Sequence, residues 1–248
     1  MDVKWHGQLR QDEWVARTFG VRPGVFLEAG AGDGVLMSNT LVLERIFGWT
    51  GLCVEPSADF EVLVGQRTCK VDDSVLSEVS GKRVLFKQDD DHSYFNGIVD
   101  CMSTHKDRPG TATERTTSSL EDVLSKKDMP RRLDYVSLDT EGSELFILRG
   151  FPFHTRSIGL LTVEHNGEDP KRTKIQDLLR RHGMRRVASV RWDDWYVNTD
   201  LGVAQFARAV AVSSHIRWTL GIGRIKHWVK MDLLRRLNLS TEDGRRDA

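Results

Sequence analysis

One segment, residues 26–56, constrains the fold of this chain more than any other. It reads FLEAGAGDGVLMSNTLVLERIFGWTGLCVEP, in which the pattern predicts a strand, a glycine-rich turn, a helix and a second strand. Glycines at positions 30, 32 and 34 allow the backbone to turn sharply and to approach a ligand closely. The second strand ends at Glu55, at about the spacing where an acid binds both hydroxyls of a ribose. The segment therefore predicts a site for a nucleoside cofactor.

The charge of the turn separates two classes of cofactor. A dinucleotide fingerprint requires G-x-G-x-x-G, but its third glycine position is Val35 here, and Gly34 stands one residue early. Glu28 and Asp33 add negative charge that would repel a diphosphate. S-adenosylmethionine has a sulfonium and an ammonium group and no phosphate, so these acids favour it over NAD. An NAD-dependent oxidoreductase, or a tight turn with no ligand, is the alternative.

Composition limits the classes of partner and compartment. The 248 residues are enough for one α/β domain with additions. Because 36 basic residues balance 36 acidic ones, we expect no nucleic-acid partner. The three cysteines form no C-x-x-C pair and are typical of reduced thiols in a cytoplasmic protein. The first residues lack the apolar core of a secretory signal, and no apolar run reaches the roughly 20 residues that span a bilayer.

Strand patterns alternate with helix patterns along the chain. We predict strands at 25–29, 51–55, 69–71, 84–87, 135–138, 159–164, 185–190 and 195–198. We predict helices at 8–19, 35–47, 56–65, 118–124, 143–151 and 171–182. Residues 89–115 are polar without a clear period and are predicted to be a long loop. The alternation predicts a doubly wound sheet that closes with an antiparallel pair and binds its ligands at the C-terminal ends of the strands.

An ordered set of motifs extends this prediction to a family. The segments are QDEWV, FLEAGAGDGVLMSNTLVLE, GWTGLCVEPS, TSSLEDVL, DYVSLDTEGSELFILRGF and LLTVEHN. Over residues 8–198 the chain resembles the FkbM-type family of S-adenosylmethionine-dependent methyltransferases. The resemblance implies a class I methyltransferase (Rossmann-like) fold with a mostly parallel seven-stranded sheet and an antiparallel strand at the C-terminal edge. It also implies O-methylation, often of sugar hydroxyls in glycans, glycolipids or metabolites.

The domain organisation and the cofactor site follow from these segments. We expect a helical lead-in at 1–24, the methyltransferase domain at 25–200 and a C-terminal extension at 201–248. The residues expected to bind S-adenosylmethionine are Glu28, Gly30, Gly32, Asp33, Gly34, Asn39, Glu55, Pro56, Ser57, Leu76, Ser77 and Asp139.

Catalytic candidates follow the fourth and fifth predicted strands of the core. Transfer to an alcohol benefits from a general base, which contributes on the order of 10²–10⁴-fold. His165 is the preferred base because the unperturbed pKa of histidine lies near neutrality. The other candidates are Asp139, Glu141 and Glu164. An exposed loop histidine and a helix cap at Glu141 are the alternatives, and Asp139, Glu164 and Asn166 form a candidate Mg²⁺ site.

Two further regions have candidate roles. Tyr94, Phe95 and Asn96 are candidates to line the pocket of a small-molecule or glycan acceptor, with packing of the loop as the alternative. Residues 203–237 are rich in Arg and Lys and have an apolar helical stripe with two tryptophans nearby. Such a helix can lie on an anionic membrane, which makes a peripheral membrane contact a candidate role. The alternatives are packing on the core or on a second subunit in a homodimer, and a membrane-docked protein that lacks activity.

Overall fold

Two β-sheets and seven α-helices form the part of the chain that the computed structural model describes, which is residues 3–89, 95–102 and 106–222. The helices are α1 (Gln11–Phe19), α2 (Leu41–Phe47), α3 (Phe60–Gln66), α4 (Leu120–Lys126), α5 (Glu144–Arg149), α6 (Asp169–Arg181) and α7 (Val203–Thr219). The strands are β1 (Val25–Ala29), β2 (Thr50–Val54), β3 (Lys70–Asp72), β4 (Val75–Ser77), β5 (Arg83–Asp89), β6 (Gly97–Ile98), β7 (Gly110–Ser119), β8 (Arg132–Leu138), β9 (Ser157–Glu164), β10 (Met184–Val190) and β11 (Asp193–Asn198).

The larger sheet has seven strands in the order β3-β2-β1-β8-β9-β11-β10. Strands β3, β2, β1, β8 and β9 pair in parallel, and β11 is antiparallel to both of its neighbours. This confirms the predicted doubly wound, mostly parallel sheet, with the antiparallel strand at its C-terminal end beside the edge strand β10. The strand order reverses between β1 and β8, and a crevice for a ligand opens at such a point.

Helices cover both faces of the larger sheet. Its central strands are near-continuous apolar runs because the helices exclude water from both sides. Helices α1, α2 and α7 contribute to the core on one face, and α4, α5 and α6 contribute to the core on the other. The indole Nε1 of Trp14 donates to the carbonyl oxygen of Ala209 at 3.0 Å, and its ring stacks on Trp195 with centroids 4.9 Å apart. These contacts tie α1 to α7 and both helices to the sheet.

The smaller sheet corrects the prediction of a loop at 89–115. Its strand order is β4-β7-β5-β6, and β7 pairs with β5 in antiparallel register over the whole of Arg83–Asp89. The N-terminal half of β7 is exposed, so its sequence, GTATE, carries no apolar alternation. The strand was missed because periodicity detects only strands with a buried face. Residues 90–94 and 103–105, with Tyr94 among them, lie outside the described residues.

Helix α2 begins six residues later than predicted. Residues 35–40 form an irregular loop, and the helix starts only at Leu41. The Asp33 carboxylate accepts the N–H groups of Val35 and Leu36, both at 2.8 Å, and Glu28 accepts the N–H of Asn39 at 2.6 Å. Side-chain oxygens thus accept hydrogen bonds from the backbone N–H groups of this segment. Such side-chain bonds compete with the backbone bonds of a helix.

The described chain ends shortly after α7. Trp218 on this helix is 78% exposed. Most of the predicted basic amphipathic stripe, from Arg224 onward, lies outside the described residues, so the membrane contact of residues 203–237 stays a prediction, as do the domain boundaries. None of the helices in the described ranges combines the length and the hydropathy needed to cross a bilayer.

Candidate active site

A cavity of about 750 Å³ opens at the C-terminal ends of the central strands, at the point where the strand order reverses. Its volume lies in the upper part of the range of about 300–1,000 Å³ that is typical of small-molecule sites. The predicted residues that line it are Glu28, Gly30, Gly32, Asn39, Glu55, Pro56, Leu76, Asp139, Glu141, Glu164 and Asn166, together with Phe95 and Asn96. Those that do not line it are Asp33, Gly34, Ser57, Ser77 and His165.

The glycine turn places the end of β1 directly against the end of β8. Gly30 has φ +80°, and a Cβ atom there would lie 1.6 Å from the carbonyl oxygen of Asp139. A Cβ at Gly34, with φ +78°, would lie 2.6 Å from Leu63 Cδ1. A Cβ at Gly32 would meet no atom within 4 Å, although its φ is +52°. Gly30 and Gly34 therefore serve close packing, whereas Gly32 faces open space in the cavity.

Glu28 holds the loop that comes after the turn. Its Oε2 accepts from the hydroxyls of Ser38 and Thr40 at 2.8 and 2.6 Å. The same oxygen lies 3.3 Å from Nη1 of Arg67, whose side chain is fully buried and also pairs with Glu44 at 2.7 Å. The Glu28 carboxylate is thus committed to the loop. Its predicted role toward the cofactor reduces to the negative charge that it contributes to the cavity wall.

Glu55 and Asn39 present acceptor oxygens at the same end of the cavity. The Glu55 carboxylate accepts the N–H of Gly32 at 2.8 Å and that of Ser57 at 2.9 Å, and burial raises its pKa. The Asn39 amide donates from Nδ2 to Ser137 Oγ at 2.9 Å. Its Oδ1 is buried and accepts no hydrogen bond from the described residues. A buried carbonyl oxygen without a donor is costly, so a ligand that donates there would relieve the cost.

Three carboxyl groups converge at the ends of β8 and β9. Asp139, Glu141 and Glu164 each offer an oxygen, and these oxygens all lie within 4.8 Å of one another. Burial and then the mutual repulsion of the acids raise the pKa of Glu141 to about 8 and that of Glu164 to about 12. Burial raises the pKa of Asp139 to about 6. Buried like charges cannot all ionise, so the cluster retains protons at neutral pH.

The local backbone explains this convergence, and Glu141 adds a carboxyl group to the predicted metal set of Asp139, Glu164 and Asn166. Glu141 and Asn166 both adopt left-handed φ angles, +54° and +49°, in the loops at the ends of the two strands. Asn166 donates from Nδ2 to Glu164 Oε2 at 2.7 Å, so its amide supports Glu164. Glu141 joins Asp139 and Glu164 in the cluster, and Asn166 lines the same cavity beside Glu164. Non-glycine residues in such a conformation persist only where the surroundings hold them, often at functional sites.

Glu144 stabilises the turn at residues 139–144 (DTEGSE) by hydrogen bonds to its backbone. Its Oε1 accepts the N–H groups of Thr140 and Gly142 at 2.9 and 3.0 Å, and its Oε2 pairs with Lys171 at 3.3 Å. The turn-holding role that the sequence offers for Glu141 thus belongs to Glu144. This leaves Glu141 free to face the cavity, where its Oε2 is buried without a hydrogen-bond partner among the described residues.

His165 lies outside the cavity, contrary to its prediction as the general base. Its Nδ1 accepts the N–H of Gly167 at 3.0 Å, and its Nε2 lies 3.9 Å from Asp194. The residue is 3% exposed, and burial lowers its pKa. Neighbouring residues of an extended chain point to opposite sides, so Glu164 reaches the cavity and His165 does not. The predicted base therefore does not line the cavity.

The N-terminal segment and the turn between β10 and β11 also line the cavity, although the sequence assigns them no role in the site. Gln8 and Gln11 precede or begin α1, and Arg191 and Trp192 form the turn between β10 and β11. Gln11 Nε2 donates to Asp193 Oδ2 at 2.9 Å, and Trp192 Nε1 donates to Gln8 Oε1 at 3.2 Å. These contacts join segments more than 180 residues apart. No local pattern in the sequence could have indicated them.

Comparison with known proteins gives one family match. A family model described as "Methyltransferase FkbM domain" matches residues 28–186. No curated protein matches the chain. The matched segment contains the glycine turn, Glu55 and the three clustered carboxylates.

Similar solved structures include three methyltransferases of low sequence identity. The METTL16 MTase domain is 13% identical with a TM-score of 0.45, and the match covers 77% of this chain and 66% of that one, just under two thirds of its length. Precorrin-6y C5,15-methyltransferase from Geobacter metallireducens GS-15 is 10% identical with a TM-score of 0.43, and the match covers 77% and 86%. A SAM-dependent methyltransferase from Aquifex aeolicus is 10% identical with a TM-score of 0.39, and the match covers 75% and 88%.

The two cavity-lining glycines should respond differently to alanine. Gly30→Ala puts a methyl group into the Asp139 backbone and should lower the free energy of unfolding by at least about 3 kcal/mol. Gly32→Ala meets no atom and bears only the cost of a left-handed alanine, about 1–2 kcal/mol. Urea denaturation of both variants measures this difference. If both variants lost the same free energy of unfolding, the contact between the ends of β1 and β8 would not be what requires glycine at position 30.

Stability should depend on pH through the carboxyl cluster. The folded pKa of Asp139, about 6, and of Glu141, about 8, exceed their ordinary values of 3.8 and 4.5, so the folded protein binds more protons. Their contribution to the free energy of unfolding is complete below the ordinary values and is lost as pH rises through about 6 and 8.

The variant Glu141→Gln isolates this effect, because an amide has no proton to lose. His165, whose pKa is lowered, acts with the opposite sign between its folded and ordinary pKa values, but equally in wild type and variant. Urea denaturation between about pH 5 and 8 should therefore show a free energy of unfolding that rises in Glu141→Gln relative to wild type as pH increases. A difference that is constant with pH would contradict the raised pKa.

Proposed function

The chain belongs to the FkbM methyltransferase family and is an S-adenosylmethionine-dependent methyltransferase, and from this premise we propose that its acceptor is a hydroxyl group of a sugar. The family membership agrees with the motifs quoted from the sequence and removes the NAD-dependent oxidoreductase from the alternatives. The observation that carries the proposal is the cluster of Asp139, Glu141 and Glu164 on the cavity wall, because a hydroxyl acceptor must lose a proton there.

The residues at the β1 and β2 end of the cavity fit the donor. When bound, S-adenosylmethionine supplies an electrophilic methyl group on a positively charged sulfur atom. Asn39 Oδ1 is a buried acceptor that suits an ammonium donor, and Glu55 is the acid assigned to the ribose hydroxyls. The cavity wall bears five carboxyl groups, from Glu28, Glu55, Asp139, Glu141 and Glu164. Glu141 and Glu164 retain protons at neutral pH and Arg67 neutralises Glu28, so the ionised Asp139 is the member of the cluster that favours a cation over a phosphate.

We assign the role of general base to Asp139. With a pKa of about 6 it is ionised at neutral pH and can take the proton of an acceptor hydroxyl. Glu164, with a pKa of about 12, remains protonated and can hydrogen-bond to its neighbours. The protons of such a cluster belong to the set of interacting groups.

The remaining lining supports a sugar as the acceptor. Phe86, Phe95 and Trp192 offer flat apolar surfaces to the cavity, and the amides of Asn96 and Asn166 lie among them. A wall with aromatic faces and a few polar groups suits a ligand with apolar C–H faces and several hydroxyls. The smaller sheet and its loops contribute Phe86, Phe95 and Asn96 to this lining.

A second proposal rests on the same three carboxyl groups, which could hold one Mg²⁺ through hard oxygen ligands. If the ion is required, dialysis against EDTA should lower turnover at least about tenfold, and added Mg²⁺ should restore it. Calorimetric titration of Mg²⁺ into the dialysed protein should then show one site that Glu141→Gln removes. Full turnover in EDTA would reject the ion and leave the carboxylate base.

The proposed function is tested by binding and by turnover. Calorimetry with S-adenosylhomocysteine measures the donor site, and transfer of a radiolabelled methyl group to a panel of free sugars and aryl glycosides measures acceptor use. We expect binding and label in an alkali-stable ether. Label in an alkali-labile ester, or only on amines, would reject O-methylation of a sugar. Donor binding without any transfer would favour a protein that lacks activity.

The base assignment has a matched test. Asp139→Asn should lower turnover by about 10²–10⁴-fold, because the amide accepts no proton, while S-adenosylhomocysteine affinity changes by less than about threefold. Asp72→Asn is the control, since Asp72 also ends a strand of the same sheet but pairs with Lys126 and Lys127 outside the cavity. Retained turnover in Asp139→Asn would reject Asp139 as the base.

A further inference from the structure

Arg191 is the one arginine or lysine among the described residues that line the cavity. Five carboxyl groups line the same cavity and suit a cationic donor. An arginine in this wall has the wrong charge for the sulfonium and ammonium groups of the donor. The donor's methionyl carboxylate and an anionic group on the acceptor are the two candidate partners, and an exposed arginine in the cavity wall is accessible to the acceptor.

The turn between β10 and β11 holds Arg191 at the rim. Its φ angle is +54°, and its guanidinium carbon lies 5.5 Å from the centroid of the Trp192 ring. The carbonyl oxygen of Trp192 accepts the N–H of His165 at 2.8 Å, which anchors the turn to the end of β9. Arg191 is exposed and forms no ion pair with a carboxylate of the described residues. The neighbouring cations Arg172 and Arg186, by contrast, both pair with Asp194.

The turn between β10 and β11 lies close to the cluster of Asp139, Glu141 and Glu164. Asp193 pairs with Glu164 in the ladder between β11 and β9, and Arg191 precedes Asp193 by two residues. Arg191 and Trp192 thus stand at the same end of β9 as the carboxyl group of Glu164. The cavity has an acidic wall and, next to it, an aromatic ring and a cation without a carboxylate partner in the described ranges.

We infer that Arg191 and Trp192 form an acceptor subsite for a sugar that carries an anionic group, either a carboxylate or a phosphate. This inference rests on the proposed function. The guanidinium presents a planar fork that matches both anions, and the indole ring packs against the sugar. The acidic cluster repels the anion, so the anion turns toward the rim and a hydroxyl on another part of the ring turns toward Asp139. Charge thereby selects which hydroxyl is methylated.

Binding to matched sugars tests the subsite without turnover. The protein is saturated with S-adenosylhomocysteine and titrated with two pairs of probes, followed by calorimetry and by tryptophan fluorescence. One pair is p-nitrophenyl β-D-glucuronide and p-nitrophenyl β-D-glucoside, and the other is glucose 6-phosphate and glucose. We expect the charged member of at least one pair to bind at least about tenfold more tightly than its neutral counterpart. The pair with the larger ratio identifies the anion as carboxylate or phosphate.

Two variants test whether Arg191 causes the preference for the charged sugar. In Arg191→Gln the charged and neutral sugars should bind with equal affinity. The S-adenosylhomocysteine affinity and the midpoint of urea denaturation should stay unchanged. Arg185→Gln is the matched control, because Arg185 lies on β10 but does not line the cavity, and it should retain the ratio.

The outcomes separate this inference from the proposed function. If wild-type protein binds S-adenosylhomocysteine but none of the four sugars, the sugar acceptor and the subsite are both rejected. If charged and neutral sugars bind equally, only the subsite is rejected. If Arg191→Gln weakens S-adenosylhomocysteine binding at least about tenfold, the guanidinium holds the donor's carboxylate, and the subsite is again rejected.

Discussion

The buried carboxylate of Glu28 is the interaction on which the donor end of the cavity depends. It gathers the backbone and hydroxyl donors of residues 38–40, and Arg67 neutralises it from the opposite side. Both side chains are almost fully buried, and a buried charge is tolerated only when it is paired and hydrogen-bonded. This network delays the start of α2 and carries Asn39 to the cavity wall. The glycine turn supplies the bend, and the Glu28 network sets the conformation of residues 35–40.

Much of the larger sheet could be predicted from the sequence because its signals are local. The bounds of β1 are as predicted, and the predicted strands at β2, β8 and β9 differ from the observed ones by a few residues at their ends. The convergence of Asp139 and Glu164 was also predictable, since parallel strands end at the same edge of a sheet. Strand β7 could not be predicted, because its exposed half carries no apolar period.

The site itself was predictable only in part, for reasons of geometry. The sequence places Glu164 and His165 side by side after a buried strand, and the direction of each side chain decides which one reaches the cavity. The left-handed backbone of Glu141 brings that acid into the cluster, and no local pattern indicates such a conformation in a glutamate. The contact of the N-terminal segment with the β10–β11 hairpin, through Gln11 and Asp193, is likewise non-local. A cluster of buried acids also opposes folding, which is typical of a site retained for function.

The smaller sheet has a consequence for how such enzymes diversify. It contributes Val75, Leu76, Phe86 and Ile98 to the cavity, yet none of its strands belongs to the ladder that carries the glycine turn and Glu55. Segments that lie outside the central scaffold tolerate replacement far better than those within it. Substitutions on β5 and β6 can therefore reshape the cavity without disturbing the ladder that carries the glycine turn and Glu55.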